Sequence, residues 1–291
     1  MTTVAATPAA DLLPPPESRI WGKLKRSRSA WIGGSIVAVF VLMAVLAPLI
    51  APYDPNKTNF LLIRKPPSAL YWLGTDEIGR DILSRLLYGA QASLMAGVVS
   101  VLIAVAIGVP LGLASGWYGG WFDMIVSRVT DALLACPFLI LAIAFAAILG
   151  PSLTNAMIAI GLSAVPIFIR LSRGQAISVK AEDYIEGARA VGVKDVRILI
   201  SHLAPNTLPP ILVQCSLFMA QAIILEASLS FLGLGQQPPQ ASWGSMLNTA
   251  KNFMEQAPWM SISPGVAICL VVIGFNILGD GLRDALDPKE S

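Results

Sequence analysis

The sequence predicts an all-α membrane protein with six transmembrane helices and both termini in the cytoplasm, on three observations. Of the 291 residues, 55% are hydrophobic and only 13% charged, against about 25% charged in a soluble domain. Six apolar runs reach or approach the roughly 20 residues that cross a bilayer core. Lys and Arg are divided unevenly between the segments that join those runs. With the N terminus inside, the inner segments hold Arg19, Lys23, Lys25, Arg26, Arg28, Arg128, Arg170, Arg173, Lys180, Arg189, Lys194, Arg197, Arg283 and Lys289. The outer segments hold only Lys57, Arg64, Lys65, Arg80, Arg85 and Lys251. That is the asymmetry that orients polytopic proteins.

Residues 1–29 form a tail rich in Ala, Pro and Thr, with Pro14-Pro15-Pro16 and then a basic stretch. Such a composition predicts a disordered cytoplasmic segment. The first span, residues 30–52, has its apolar run at Trp31 to Ala51. The run is too long for a cleaved signal and no small-residue cleavage site follows it, so it reads as a retained signal-anchor. Residues 53–90 form an external segment with an interfacial helix. Thr75 is a helix N-cap candidate there, followed by Ile78, Ile82, Leu83, Leu86 and Leu87 at helical spacing. This helix is expected to lie along the outer interface until Gly89. Asp76, Glu77, Arg80, Asp81 and Arg85 either pair locally or serve as solvated charges.

Residues 91–283 hold a five-helix core, with runs at Ser93 to Ser115, Ile125 to Leu149, Asn155 to Leu171, Leu208 to Leu232 and Ile262 to Leu282. The fourth contains Pro166, which frees a backbone carbonyl that neighbouring protein must satisfy, so this run is expected among other helices. Between the fourth and fifth runs lies the cytoplasmic loop 172–207, which reads as helix-turn-helix and is too polar for lipid. Residues 284–291 form a cytoplasmic tail.

Several chemistries are missing. No G-x-x-x-x-G-K-[S/T] phosphate loop occurs, so the chain is not expected to bind ATP in that way. No G-x-S-x-G occurs, and the lone His202 has no acidic orienter near it in sequence, which disfavours a hydrolase. Glu182 and Asp183 read as partners of a helix N-terminal dipole. Cys136, Cys215 and Cys269 each fall in an apolar run and read as small buried hydrophobes. With one histidine in the chain, no metal site is expected. Neither enzymatic activity nor nucleic-acid binding is predicted.

The polar loop carries a pattern. Glu186-Gly187-Ala188 is followed by Arg189-Ala190-Val191, then Gly192, then nine residues, then His202-Leu203-Ala204-Pro205. This resembles the cytoplasmic motif of ABC importer permeases, which runs Glu-Ala-Ala, three residues, Gly, nine residues, Ile-x-Leu-Pro. Gly187, His202 and Ala204 depart from it, while Glu186, Ala188, Gly192 and Pro205 match in register. LGTDEIGRDILSRLLYG from Leu73, EASLSFLGLGQQPPQASWGSML from Glu226 and FNILGDGLRDALDP from Phe275 extend the similarity over nearly the whole chain after residue 20. Together they resemble the C-type subunit of the dipeptide/oligopeptide permease family.

The resemblance implies a type I ABC importer permease fold in the bacterial inner membrane. It implies half of a translocation pathway for short peptides, built with a homologous B-type permease. It further implies two ATP-binding subunits or domains that use ATP and Mg, and an extracytoplasmic peptide-binding protein. No cofactor is expected on this chain itself. Glu186, Gly187, Ala188, Arg189, Gly192 and Pro205 would form the ATPase-coupling segment, with Gly192 ending a short helix and Pro205 setting where the next membrane helix begins. Import of nickel or another small solute by the same family is the alternative reading. An ion-coupled secondary carrier is a remote one, since no internal repeat is evident.

In the fifth run Gln214, Gln221 and Ser228 recur every seven residues and share a helix face, as pore lining or as interhelical glue. Glu226 is an acid within a span, where such a group faces a partner charge or a wet cavity. It is expected to pair with a basic or amide group across a subunit interface or outer gate, or else to meet a peptide's amino terminus. Asn276, Asp280 and Arg283 share a face of the last helix, where Asp280 with Arg283 or Asp284 is expected to stabilise the helix end.

Overall fold

The computed structural model describes residues 27–286; residues 1–26 of the expected disordered tail and the last five residues lie outside that range. Helix α1 runs Arg28–Ile50, capped by the Ser27 side chain. Then come α2, Ile82–Tyr118, α3, Gly120–Ala135, and α4, Phe138–Leu149. They are followed by α5, Leu153–Lys180, α6, Asp183–Ala190, and α7, Asp195–Ile198. The chain ends with α8, Ala204–Phe231, α9, Trp243–Ala250, and α10, Trp259–Leu286. Among the described residues five helical stretches are long and apolar enough to cross a membrane, and six spans result if the bent pair α3/α4 counts as one. No strand occurs among the described residues.

The expected span Ile125 to Leu149 is not straight: α3 and α4 meet at 95°. Pro137 is the cause. It forces Cys136 into extended backbone (φ −80°, ψ 136°), and the helix stops one residue earlier. At 1.5 Å per residue the 12-residue α4 is about 18 Å long, too short to cross alone.

Helix α2 starts at Ile82, not at Thr75, and continues without a break through the expected second span. Asp81 is its N-cap, its side chain accepting from the Ser84 N–H. Thr75 instead lies in a tight knot, where its hydroxyl donates to the Leu62 carbonyl at 2.5 Å and accepts from the Lys65 N–H at 2.8 Å. Positive φ at Gly74 and Gly79 makes the knot possible, and a Cβ on Gly79 would collide with the Asn59 carbonyl. Of the charges expected to be solvated or locally paired, Asp76, Arg80, Asp81 and Arg85 are buried and Glu77 is half-buried. Arg80 bonds Asp76 at 2.6 Å and Glu77 at 2.7 Å. Arg85 donates to the carbonyls of Pro55 and Pro239 at 3.1 and 3.2 Å. Burial, reinforced by the adjacent Asp76 carboxylate, pushes the Glu77 carboxyl above its usual range.

The centre of the molecule is the pairing of α2 with α5. Gly108, Gly112 and Gly116 form a ridge on α2, and a Cβ on the first or third would lie 2.7 Å from Cβ of Phe168 or Ala176 on α5. Small residues at this spacing let two backbones approach closely. Pro166 is buried in this helix, as the sequence predicts, and α4 and α8 pack on it as well. Cys136 and Cys269, expected inside, are exposed on the single chain.

Residues 52–81 lie at the N-terminal end of α2, and the 181–203 hairpin packs at its other end. At 1.5 Å per residue the 37 residues of α2 separate the two by about 55 Å. The backbones of Gly281 and Ala30 touch, so α1 begins where α10 ends.

Candidate coupling and pathway site

Helix α6 carries one buried residue, Ile185. It joins Ile198 and Leu203 in a cluster with Leu113 and Trp117 of α2 and Ala176 of α5. Apolar spacing therefore anchors the hairpin to the ends of the two most intimately packed helices. Asp183 and Glu186 occupy the first turn of α6 and Arg189 the last, the charge order a helix dipole favours.

Gly192 ends α6 with φ +78°. Its N–H donates to the Arg189 carbonyl at 2.9 Å and the Val193 N–H to the Ala188 carbonyl at 3.1 Å. These two bonds make a Schellman motif, which requires a left-handed residue at this position. Neither Gly187 nor Gly192 has a neighbour that an added Cβ would meet. Glu186, Gly187, Arg189, Gly192 and Pro205 are exposed and Ala188 is half-buried. Around them Tyr184, Val191, Val196 and Ile200 expose 47%, 80%, 60% and 67% of their surface. The hairpin thus presents a bare surface on which small and apolar residues lie among exposed charges.

Pro205 does not begin the helix. A helical path continues from Asp195 through Phe231, with a π-helical turn at Leu199–Leu203 in which the Ala204 N–H bonds the Leu199 carbonyl. Pro205 has no N–H to give and its ring crowds the preceding turn, which the wider turn accommodates.

Four of the six basic residues in and before the loop have partners inside the chain. Arg173 grips Asp123 through two bonds of 2.5 and 2.7 Å, and Arg170 reaches Asp131 at 2.6 Å. Lys180 donates to the Trp117 carbonyl at 2.6 Å, and the Arg189 guanidinium stacks over the Trp117 ring at 4.3 Å. Lys194 and Arg197 stay exposed. Trp117 organises this end of the molecule and was not singled out from the sequence. Its one signal was an aromatic side chain closing an apolar run at a membrane interface.

On α8 the expected stripe divides. Gln221 is exposed, while Gln214 and Ser228 are half-buried. Ser228 lines an open cavity of about 410 Å³ with Leu139, Ile224, Ala227, Phe231, Leu232, Leu247 and Ile268, and its hydroxyl donates to its own helix at Ile224. Glu226 faces the other way and is fully buried. It accepts from the Ser93 hydroxyl at 2.9 Å and the Ser230 hydroxyl at 2.7 Å. Its partners are therefore hydroxyls within the chain, in place of the expected basic or amide group. Ser93 also accepts from the Trp243 N–H, so the carboxyl ties α2, α8 and α9 together. Asn276, Asp280 and Arg283 are all exposed on α10. The expected pairing of Asp280 with Arg283 does not form among the described residues.

A bundle of apolar helices, a polar hairpin anchored at one end and an open cavity along α8 define a polytopic membrane permease. Residues 108–291 match the family described as binding-protein-dependent transport system inner membrane component. Residues 17–67 match the N-terminal TM domain of oligopeptide transport permease C. The chain is 47% identical over 285 residues to the dipeptide transport system permease protein DppC of Alkalihalophilus pseudofirmus, covering 95% of this chain and 94% of that one. It is 44% identical over 270 residues to the probable D,D-dipeptide transport system permease protein DdpC of Escherichia coli K12, covering 93% and 90%. The glutathione transport system permease protein GsiD of Salmonella typhimurium is 46% identical over 280 residues, covering 96% and 92%. Among solved structures, the inward-facing MetNI methionine ABC transporter shares the fold, with a TM-score of 0.58 at 20% identity over 71% of this chain and 98% of that one. The chain belongs to the inner membrane component family of binding-protein-dependent transport systems. It is a multi-pass inner-membrane permease and not a catalytic subunit.

Proposed function

We propose that this chain is one half of the pathway of an ATP-driven importer of short peptides. The observation that carries the reading is the hairpin: a short helix ended by Gly192, fastened by Ile185, Ile198 and Leu203, with its outer surface bare. The names of the relatives support peptides as substrate, and they do not favour nickel or another small solute. Membership of this family leaves the secondary carrier without support.

The Lys and Arg distribution supports both termini and the hairpin in the cytoplasm, with residues 52–81 outside. An ATP-binding subunit would seat on Tyr184, Val191, Val196 and Ile200, with Glu186, Lys194 and Arg197 as exposed charges at its edge. ATP and Mg would be held by two such subunits and not by this chain. Movement of the hairpin would pass into α2 and α5 through Trp117 and the buried isoleucines, as a rigid-body shift of packed helices. A homologous B-type permease would complete the pathway along α4, α8 and α10, facing Gln214, Gln221, Ser228 and Asn276. The cavity there has no charged lining residue, which suits peptides of varied side chains. Selection would then rest with an extracytoplasmic peptide-binding protein. The test is uptake of labelled peptide into proteoliposomes holding the whole complex: ATP-dependent uptake supports the reading, and nickel uptake without peptide uptake contradicts it.

A further inference from the structure

At the end of α2 away from the hairpin, residues 53–81 enclose a cavity of about 120 Å³ lined by Tyr53, Lys57, Asn59, Tyr71, Gly79 and Asp81. Asp81 is 2% exposed. Its Oδ2 accepts from the Ser84 N–H at 2.8 Å and the Ser84 hydroxyl at 2.7 Å. Its Oδ1 is buried and has no hydrogen-bond partner among the described residues. A carboxylate oxygen left so is costly, and a site that keeps one is suited to a donor that arrives from elsewhere.

The surroundings are built. Gly79 holds φ +79° with its α-carbon against the Asn59 carbonyl, and the Asn59 N–H donates to the Ile78 carbonyl at 3.2 Å. The Tyr53 N–H donates to the Ser84 hydroxyl at 3.1 Å, which ties the aromatic wall to the cap of α2. Tyr53 and Tyr71 stack with centroids 5.0 Å apart and planes at 26°. Tyr53, Tyr71 and Asp81 line the same cavity, and an aromatic wall with a carboxylate attracts an organic cation. The volume is somewhat below the roughly 150 Å³ that admits benzene, room for a head group of a few heavy atoms. A calcium ion would need six to eight oxygen ligands, more than this lining supplies. Lys57, exposed and lining the same cavity, would be the chain's own competitor for an incoming cation.

We propose that this cavity binds one ammonium or guanidinium group, either a peptide's amino terminus or a Lys or Arg side chain of a docked extracytoplasmic protein. The two sources rest on the outward orientation of residues 52–81; the chemistry of the cavity does not. The test uses the whole complex in lipid nanodiscs, where both faces are open, so failure here is distinct from failure of the orientation. Ethylguanidinium and propylammonium are titrated by saturation-transfer NMR, with propanol as the neutral control. Both cations bind saturably and the alcohol does not. Asp81→Asn, which keeps an N-cap acceptor, weakens them at least about tenfold. Lys57→Ala tightens both several-fold, and Tyr71→Leu weakens both. Equal affinity in Asp81→Asn, or no saturable binding in the parent complex, overturns the proposal. Where Asp81→Asn fails to assemble, unchanged affinity in both Lys57→Ala and Tyr71→Leu overturns it. Displacement of the probe by a free-amino peptide but not by its N-acetyl form assigns the site to substrate. Displacement by the unloaded binding protein assigns it to docking, and displacement by neither overturns the proposal.

Discussion

Gly192 answers to two demands, a backbone one from the Schellman motif and a steric one from the surface it leaves bare. Leu there would pay about 1–2 kcal/mol for the left-handed conformation and would add bulk. Asn adopts that conformation more readily yet still adds a side chain. Both variants are expected to insert normally and to lose ATP-driven uptake in proteoliposomes; full uptake by Gly192→Asn would leave only the backbone role. Glu226 separates shape from charge. Glu226→Gln keeps the shape, although its amide nitrogen donates where one carboxylate oxygen accepts from Ser93 or Ser230, and it should preserve complex yield. Glu226→Ala opens a cavity among stranded hydroxyls and should cost roughly 2–5 kcal/mol, read as a lower melting temperature of the purified complex. A wild-type melt for the alanine variant would remove Glu226 from the packing account. Glu77 adds a pH dependence. Its folded value lies above the ordinary 4.5, so the folded state holds the proton more tightly. Its contribution is fully present below 4.5 and is lost as pH rises through the raised value. Glu77→Gln should flatten that part of the stability profile, and an unchanged slope would contradict the burial argument.

Among elements, the apolar runs were legible because spans must be long and apolar, and every run but Ile125 to Leu149 lies in a single helix to within a residue. What the runs hid was punctuation within them. Pro137 sat in plain view inside the third run, but a hydropathy count does not register that it stops a helix at the residue before it. The start of α2 was misplaced for a similar reason. Thr75 and Asp81 are both good N-caps, and only the positive φ of Gly74 and Gly79 shows that the chain is still turning between them. The hairpin's turn was legible from Gly192, whereas its anchor on Trp117 needed the fold, since 63 or more residues separate Trp117 from Lys180 and Arg189. Two expectations follow. Pro137→Ala should straighten α3/α4, so that spin labels at positions 125 and 145 move apart; an unchanged distance would assign the bend to packing. Trp117→Ala should speed hydrogen exchange across 183–198 while leaving α2 and α5 protected, and equal exchange would show that the hairpin stands without it.

For the whole molecule, the hydropathy, the charge asymmetry and the bare hairpin support the proposal of a permease that is moved by something else. Orientation is open to a direct check. With Cys136, Cys215 and Cys269 replaced by Ala, a cysteine at the exposed Leu61 should react with an impermeant thiol reagent on intact cells, and one at Val196 only after lysis. The reverse pattern would invert the protein. The pathway and the substrate were less legible than the spans, because on the proposed function half of the pathway wall belongs to another chain, and an apolar cavity does not name what passes through it. The central claim is that an ATP-binding subunit drives the protein through the 181–206 surface. It is tested most directly by Val191→Asp with Val196→Asp, two exposed positions whose change leaves the anchors Ile185, Ile198 and Leu203 untouched. The account predicts a normally inserted permease pair that no longer retains its ATP-binding subunits on purification and shows no ATP-driven peptide uptake. A complex that keeps those subunits and imports peptide at the parental rate would contradict it.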